Sequence, residues 1–452
     1  MRRMVVEAGV EGALAALFRE GVYLAVEEFK GRRPVVRGGT TIEVRAEALY
    51  NPLVTPHLRV QTGGSSGRAM PVFHDLGFVA ERAVNHRLAL EARGDGDWSH
   101  AVWGVPGTTD IVRVLELAKM GRPPERWFSL IDLYDPGLHP RYRWSVRLMR
   151  GVARAAGVRL PEPEPVPVGR PEVVLEWMRR TLEAGRTPHL IAFVSLAVRL
   201  SQAARAAGMS LAGVQFSSGG EPMTAARLAE VRASGATVVP RFIAIECGFI
   251  GYGCLAPDGP DDLHVFDDSL AVIRPGGDGP AWGLPPSALL LTSLLPSSSF
   301  IMLNVSLGDQ AALGPRSCGC PLEALGWGRH LSRIRSYQKL TAGGMSFLDC
   351  DLARVLEEDL PRRFGGTPLD YQLAEDEDEN GRPKLRLLVS PAVGPLDEAA
   401  VVDAFLSCLG RGEGAERVMS LQWREEGFLR IDRRAPLVTA GGKVLHLLRT
   451  RA

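Results

Sequence analysis

From about residue 35 to residue 330, short β-branched or apolar runs take turns with amphipathic helical stretches, and this alternation limits the fold more than any other feature. The runs are His57–Gln61, Pro188–Phe193, Leu211–Phe216, Thr237–Ile245 and Ala288–Leu294. Between them lie helices such as Asp75–Glu91, Glu172–Glu183 and Pro222–Arg232. Strand and helix in alternation predict a layered α/β architecture around a largely parallel sheet. The proline-rich stretch from Leu160 to Pro171 reads as a connector between two lobes. After about Ile334 the character changes. Leu369–Leu373 and Lys384–Val389 flank an acidic turn from Glu375 to Asn380, which is a hairpin signature, and a helix follows from Leu396 to Leu409. The chain therefore reads as a large layered α/β N-terminal domain, residues 1–334, followed by a small mobile α+β C-terminal domain, residues 335–452.

Composition narrows the function classes. Over 452 residues, 53 Lys and Arg stand against 52 Asp and Glu, so no net charge draws the chain to nucleic acid. No stretch reaches the ~18 consecutive apolar residues of a membrane span. Met1-Arg2-Arg3 is followed by Glu7 and Glu11 where an export signal needs apolar residues. Val6, Val10, Leu14, Leu17 and Phe18 instead fall at helical spacing, so the N-terminus reads as an amphipathic helix. Six cysteines are too few for a disulfide framework, and the cytoplasm is the expected location.

Three glycine-rich segments could carry chemistry. Thr62-Gly63-Gly64-Ser65-Ser66-Gly67-Arg68 follows a strand; its glycines can turn successive N–H groups into one concavity suited to a polyphosphate, with hydroxyls and Arg68 adding donors. It is not a Walker loop, and the same composition also serves flexible linkers. Ser218-Gly219-Gly220-Glu221-Pro222 lies at another strand end, where Pro222 suits the first turn of the next helix and Glu221 its positive end. Near the C-terminus, Thr439-Ala440-Gly441-Gly442-Lys443 presents a lysine on a glycine turn. Cys254, His264, Cys318 and Cys320 are soft donors that suit a closed tetrahedral zinc site, although buried free cysteines are also common. The other histidines, His330 among them, form no cluster that spacing can identify. Cys247 reads as a small buried hydrophobe sooner than a nucleophile.

In this order the segments resemble the adenylate-forming (acyl-AMP-forming) enzyme superfamily, nearest its phenylacetate–CoA ligase-like branch. The resemblance runs from about residue 57 to the end. It makes Thr62–Arg68 the phosphate loop, Ser218–Pro222 the segment beside the adenine, and Asp309 of Gly308-Asp309 the partner of the ribose hydroxyls. Lys443 becomes the lysine that bridges carboxylate and α-phosphate, and Glu246 of Phe242–Glu246 the holder of Mg²⁺. That branch often carries a cysteine, a Leu-His and a cysteine pair at places matching Cys254, His264, Cys318 and Cys320, which favours structural zinc. The activity implied is ATP-dependent activation of a small carboxylic acid, aryl or arylacetic, to an acyl-adenylate, then transfer to coenzyme A. The small domain is expected to rotate between the two steps.

The resemblance also implies that a homodimer is open, as is an acyl-carrier protein or amine as acceptor. This sequence departs from the family at several points. Ile245 stands for a threonine, Ala69 for a proline, Asn304 for an arginine, and Ser336-Tyr337-Gln338-Lys339 for the usual hinge. These departures keep a second class open, a nucleotide-binding scaffold without catalysis.

Overall fold

The computed structural model describes residues 2–61, 70–106, 109–136, 138–276, 283–337, 341–342, 345–346, 352–377, 383–409, 423–424, 428–439 and 442–449. A ten-stranded sheet organises the larger part of the chain. Its parallel half runs Thr237–Ala244, Gln215–Gly219, Thr187–Phe193, Trp98–Gly104, Arg126–Ser129 and Pro163–Pro165. Its antiparallel half continues outward from Thr237–Ala244 through Gly248–Gly253, Leu263–Val265, Arg329–Ser336 and Asp309–Pro315. Covered on both faces, the inner parallel strands read as nearly unbroken apolar runs. Leu190, Ile191, Ala192, Phe216, Ala101 and Trp103 are all fully buried.

The helices follow the sequence closely where an apolar stripe has 3.6-residue spacing. Glu172–Glu183 forms as expected. Asp75 caps the helix Leu76–Glu91 by accepting from the Gly77 N–H. The N-terminal helix Arg2–Arg19 forms with a break at Gly9, whose φ of 73° no helix adopts. Leu14 and Phe18 pack on Ala271, Ile273 and Leu290. Asn304, at the position expected to have lost a nucleotide contact, has φ 50° and is fully buried. Its side-chain amide donates to the carbonyls of Leu14 and Val22, so it anchors the N-terminal segment.

Three expectations are corrected. The strand predicted at Leu211–Phe216 occupies Gln215–Gly219, because the Val214 N–H closes a turn on the Leu211 carbonyl and the Leu211 N–H donates to the Ser234 carbonyl instead of a strand partner. The Leu160–Pro171 stretch is not a connector between lobes. Its Pro163–Pro165 segment pairs with Arg126–Ser129 as the outermost strand of the sheet. Pro222 precedes the next helix instead of opening it; Ala225–Ala233 is capped by the Thr224 hydroxyl, which accepts from the Arg227 N–H.

Residues from Leu352 onward build their own core. The expected hairpin forms as Tyr371–Glu377 paired with Pro383–Val389, flanked by Leu429–Asp432 and Leu447–Arg449 in a four-stranded sheet. The helix Glu398–Leu409 covers it, with Leu356, Leu373, Leu387 and Phe405 fully buried between. This smaller unit meets the larger one through a buried ion pair. Arg227 Nε lies 2.6 Å from Glu357 Oε1, and each side chain is 1% exposed.

Candidate functional site

Ligands of open α/β sheets sit beyond the carboxyl ends of the strands, and the expected residues gather at that end here. Phe193, Gly219 and Arg241 are side by side on three parallel strands. Gly219 has no side chain to give, and a Cβ there would strike the Arg241 carbonyl at 2.5 Å. Gly220 follows at φ 79°; a Cβ on it would come within 2.9 Å of the Phe193 ring and 3.1 Å of Lys443 Nζ. The C-terminal lysine is thus seated on the serine-glycine segment, with Nζ 4.8 Å from the Phe193 ring centroid.

Glu221 holds the lysine turn in place. Its Oε2 accepts from the Ser195 N–H and hydroxyl, each at 2.8 Å, and its Oε1 accepts from the Val444 N–H at 2.9 Å. The carboxylate therefore sits at the N-terminus of Val194–Ala206, not of the helix that follows Pro222. There it complements the positive helix end. The Thr439 hydroxyl accepts from the Lys443 N–H at 3.1 Å and closes the turn. Thr439 and Lys443 thus meet as their spacing suggests, while Ala440 and Gly441 lie outside the described residues.

Glu246 is buried in the turn after Thr237–Ala244, at the same end of the sheet. Asp309 opens the strand Asp309–Pro315, and its carbonyl accepts from the Leu289 N–H. Both carboxylates act on Cys247, whose thiol is pushed well above its ordinary range, first by burial and then by Glu246. Cys247 is packed in the hydrophobic core with Val60 and Ile250, as a small buried hydrophobe is. Ile245 packs in the hydrophobic core with Phe242 and Ala244. Tyr337, at the expected hinge, bonds Ser306 Oγ at 2.8 Å. The expected phosphate loop, Thr62, Gly63, Gly64, Ser65, Ser66, Gly67 and Arg68, lies outside the described residues, as do Gln338 and Lys339 of the expected hinge. Ser218 is placed with its hydroxyl buried and unpartnered among the described residues.

The four soft donors also come together. His264 Nε2 lies 3.1 Å from Cys320 Sγ and 3.6 Å from Cys318 Sγ, and Cys254 Sγ is 3.9 Å from Cys320 Sγ. A fifth donor joins them that spacing did not reveal. His330 pairs with His264 on the neighbouring antiparallel strand, ring centroids 4.0 Å apart. Donor atoms of Cys254, His264, Cys318 and His330 all lie within 4.8 Å of one another. Both imidazoles are oriented from behind, His264 Nδ1 by the Trp327 carbonyl at 2.5 Å and His330 Nδ1 by Asp262 at 2.6 Å. That fixes Nδ1 as the protonated nitrogen of His264 and turns a lone pair toward the sulfurs, as metal-binding histidines require.

No family model matches the sequence, and no curated protein matches it. Solved structures do. The chain is similar to 2-hydroxyisobutyryl-CoA ligase in the postadenylation state in complex with R3-HIB-AMP, at TM-score 0.54 and 14% identity, over 100% of this chain and 85% of that one. The same ligase in complex with 2-HIB-AMP gives 0.54 and 13% over the same shares. An ATP-bound RpMatB–BxBclM chimera gives 0.51 and 12% over 90% of this chain and 69% of that one. The chain has the fold of the adenylate-forming acyl-CoA ligases, with its larger α/β part and smaller C-terminal part. Among the described residues no helix is long and apolar enough to cross a membrane.

Proposed function

We propose that this chain is an AMP-forming acid–thiol ligase. It activates a small carboxylic acid with ATP and passes the acyl group to a thiol, coenzyme A on the family resemblance. The observation that carries this reading is the seating of Lys443 on Gly220 and Phe193, with the adjoining Val444 N–H held by Glu221. Adenylation brings two anions together, so its catalysis is charge neutralisation and alignment. Lys443 would supply the cation between carboxylate and α-phosphate. Gly219 and Gly220 lack the side chains that would push the Arg241 carbonyl, the Phe193 ring and Lys443 away from this strand end. Asp309 would accept from the ribose hydroxyls, and Glu246 would hold Mg²⁺, which supplies further charge neutralisation when bound. Residues 335–452 would act as the lid that carries Lys443 away before thiol attack.

The test is pyrophosphate release from ATP and Mg²⁺ across a panel of carboxylic acids, aryl and arylacetic acids included, with no thiol added. Release that depends on one class of acid is the expected result. ATP binding with silence across the whole panel would move the reading to a nucleotide-binding scaffold. Label from the acid then identifies the acceptor, by appearing on coenzyme A or on protein.

The cysteine–histidine cluster is proposed as a structural zinc site. Its soft donors and oriented imidazoles fit a tetrahedral ion. Cys254, His264 and Cys318 supply three places, and Cys320 or His330 supplies the fourth. Metal analysis of the purified protein should find one zinc per chain, and Cys318→Ser should lose it together with several degrees of melting temperature. Protein free of metal but equally stable would retire the site.

A further inference from the structure

Arg241 has no partner for any of its three guanidinium nitrogens among the described residues, although the residue is only 3% exposed. The charges around it are already spent on one another. Arg82 pairs with Glu116 at 2.6 Å and Arg113 with Asp110 at 2.8 Å, while His86 lies 3.7 Å from Glu116. Three guanidinium groups thus share two carboxylates. Tyr252, the cross-strand neighbour of Arg241, gives its hydroxyl to the Arg93 and Ser217 network. The Phe249 ring is 5.9 Å away, near the limit of a useful cation–π contact. A buried cation left unpaired is among the costliest features a fold can carry, so its retention asks for a purpose.

Its place suggests the purpose. Arg241 is third in the row Phe193–Gly219–Arg241–Tyr252 at the carboxyl side of the sheet; Arg113, its nearest repelling charge, lies against the Phe193 ring of that row at 5.2 Å, and Lys443 lies over the same ring at 4.8 Å. We infer that the acid activated here carries a second anionic group, a carboxylate or its equivalent, which Arg241 receives while the reacting carboxylate stays with Lys443. This rests on the adenylation reading and names its substrate class as a dianionic acid, aliphatic or aromatic. A guanidinium suits the task because it can donate two parallel N–H bonds to a carboxylate. Burial, and after it Arg113, holds Arg241 down to about 9, still cationic at neutral pH.

Calorimetric titration of the full chain with malonate, succinate, glutarate, adipate and phthalate, each beside its own monoamide, tests the inference. At least one diacid should bind about tenfold more tightly than its monoamide. Arg241→Met should abolish that difference and Arg241→Lys keep part of it. Without ligand, Arg241→Met should melt no lower than the parent chain, since it removes an uncompensated charge; a lower melting temperature would make the guanidinium structural and overturn the inference. Equal binding of diacids and monoamides, no binding of either, or discrimination that survives Arg241→Met would overturn it as well. Pyrophosphate release run in parallel separates the two readings. Diacid binding that Arg241→Met abolishes, without release, keeps the anion site and retires adenylation; release from monocarboxylates alone does the reverse.

Discussion

Alanine in place of Lys443 should lower pyrophosphate release by about 10²–10³-fold, the usual cost of removing one preorganised donor from a developing charge. The lysine is well placed for so large an effect. Its backbone N–H is fixed by Thr439, the next N–H by Glu221, and its Nζ lies over Phe193. Little of its conformational freedom is left to lose when substrates arrive, so its charge works at full value. The same variant should convert pre-formed acyl-adenylate and thiol to thioester at close to the parent rate, because the lysine is expected to be elsewhere in that step. Measuring the half-reactions separately checks both statements. Equal loss in the two would mean that Lys443 supports the fold and not adenylation.

The second large effect is expected at Glu357. This buried carboxylate accepts from Arg227 Nε at 2.6 Å, from the Thr224 hydroxyl, and from His446 Nε2 at 2.5 Å. Removing one member of a buried ion pair strands the other, at about 3–5 kcal/mol. Glu357→Gln should therefore lower the unfolding free energy, read from denaturant titration, by that amount. It should also slow adenylation, because Arg227 donates to the Val444 carbonyl beside Lys443. Burial alone would raise the Glu357 carboxyl, but Arg227 and His446 hold it at about 2, below its ordinary 4.5. Its contribution is thus complete above pH 4.5 and lost as pH falls toward about 2. The acid limb of the stability curve should flatten in the variant. The double variant Glu357→Gln, Arg227→Met should recover part of the loss, since no buried charge is then left alone.

The parts of this fold that were legible in the sequence are those whose signal is local. Glu172–Glu183 and the strand ending at Phe193 follow from periodicity, and the hairpin around the acidic turn follows from its two flanking alternations. The serine and glycine strand Gln215–Gly219 was obscured because its partners, not its residue types, make it a strand. The same holds for the site. Lys443, the glycines at 219 and 220, and the four soft donors announce themselves by residue type and spacing. His330 and Arg241 do not. Each is brought to its place beside the candidate sites by sheet register, opposite His264 for the one and Gly219 for the other, and register is a property of the assembled sheet. Glu221 shows a subtler limit: the sequence places it at a helix start, yet the helix it serves is the preceding one.

The outermost strand, Pro163–Pro165, bears on how copies of this chain can associate. Val166 donates its N–H inward to the Ser129 carbonyl at 2.6 Å, so by alternation the N–H of residue 164 also points inward. The outward positions are 163 and 165, and both are proline, which has no N–H to offer. A free sheet margin ordinarily invites another strand to dock by backbone bonding. Here the inviting groups have been deleted chemically, and a second molecule approaching that margin finds acceptors without donors. Growth of the sheet from one copy into the next is closed on this side. Any pairing of copies there must be made by side chains.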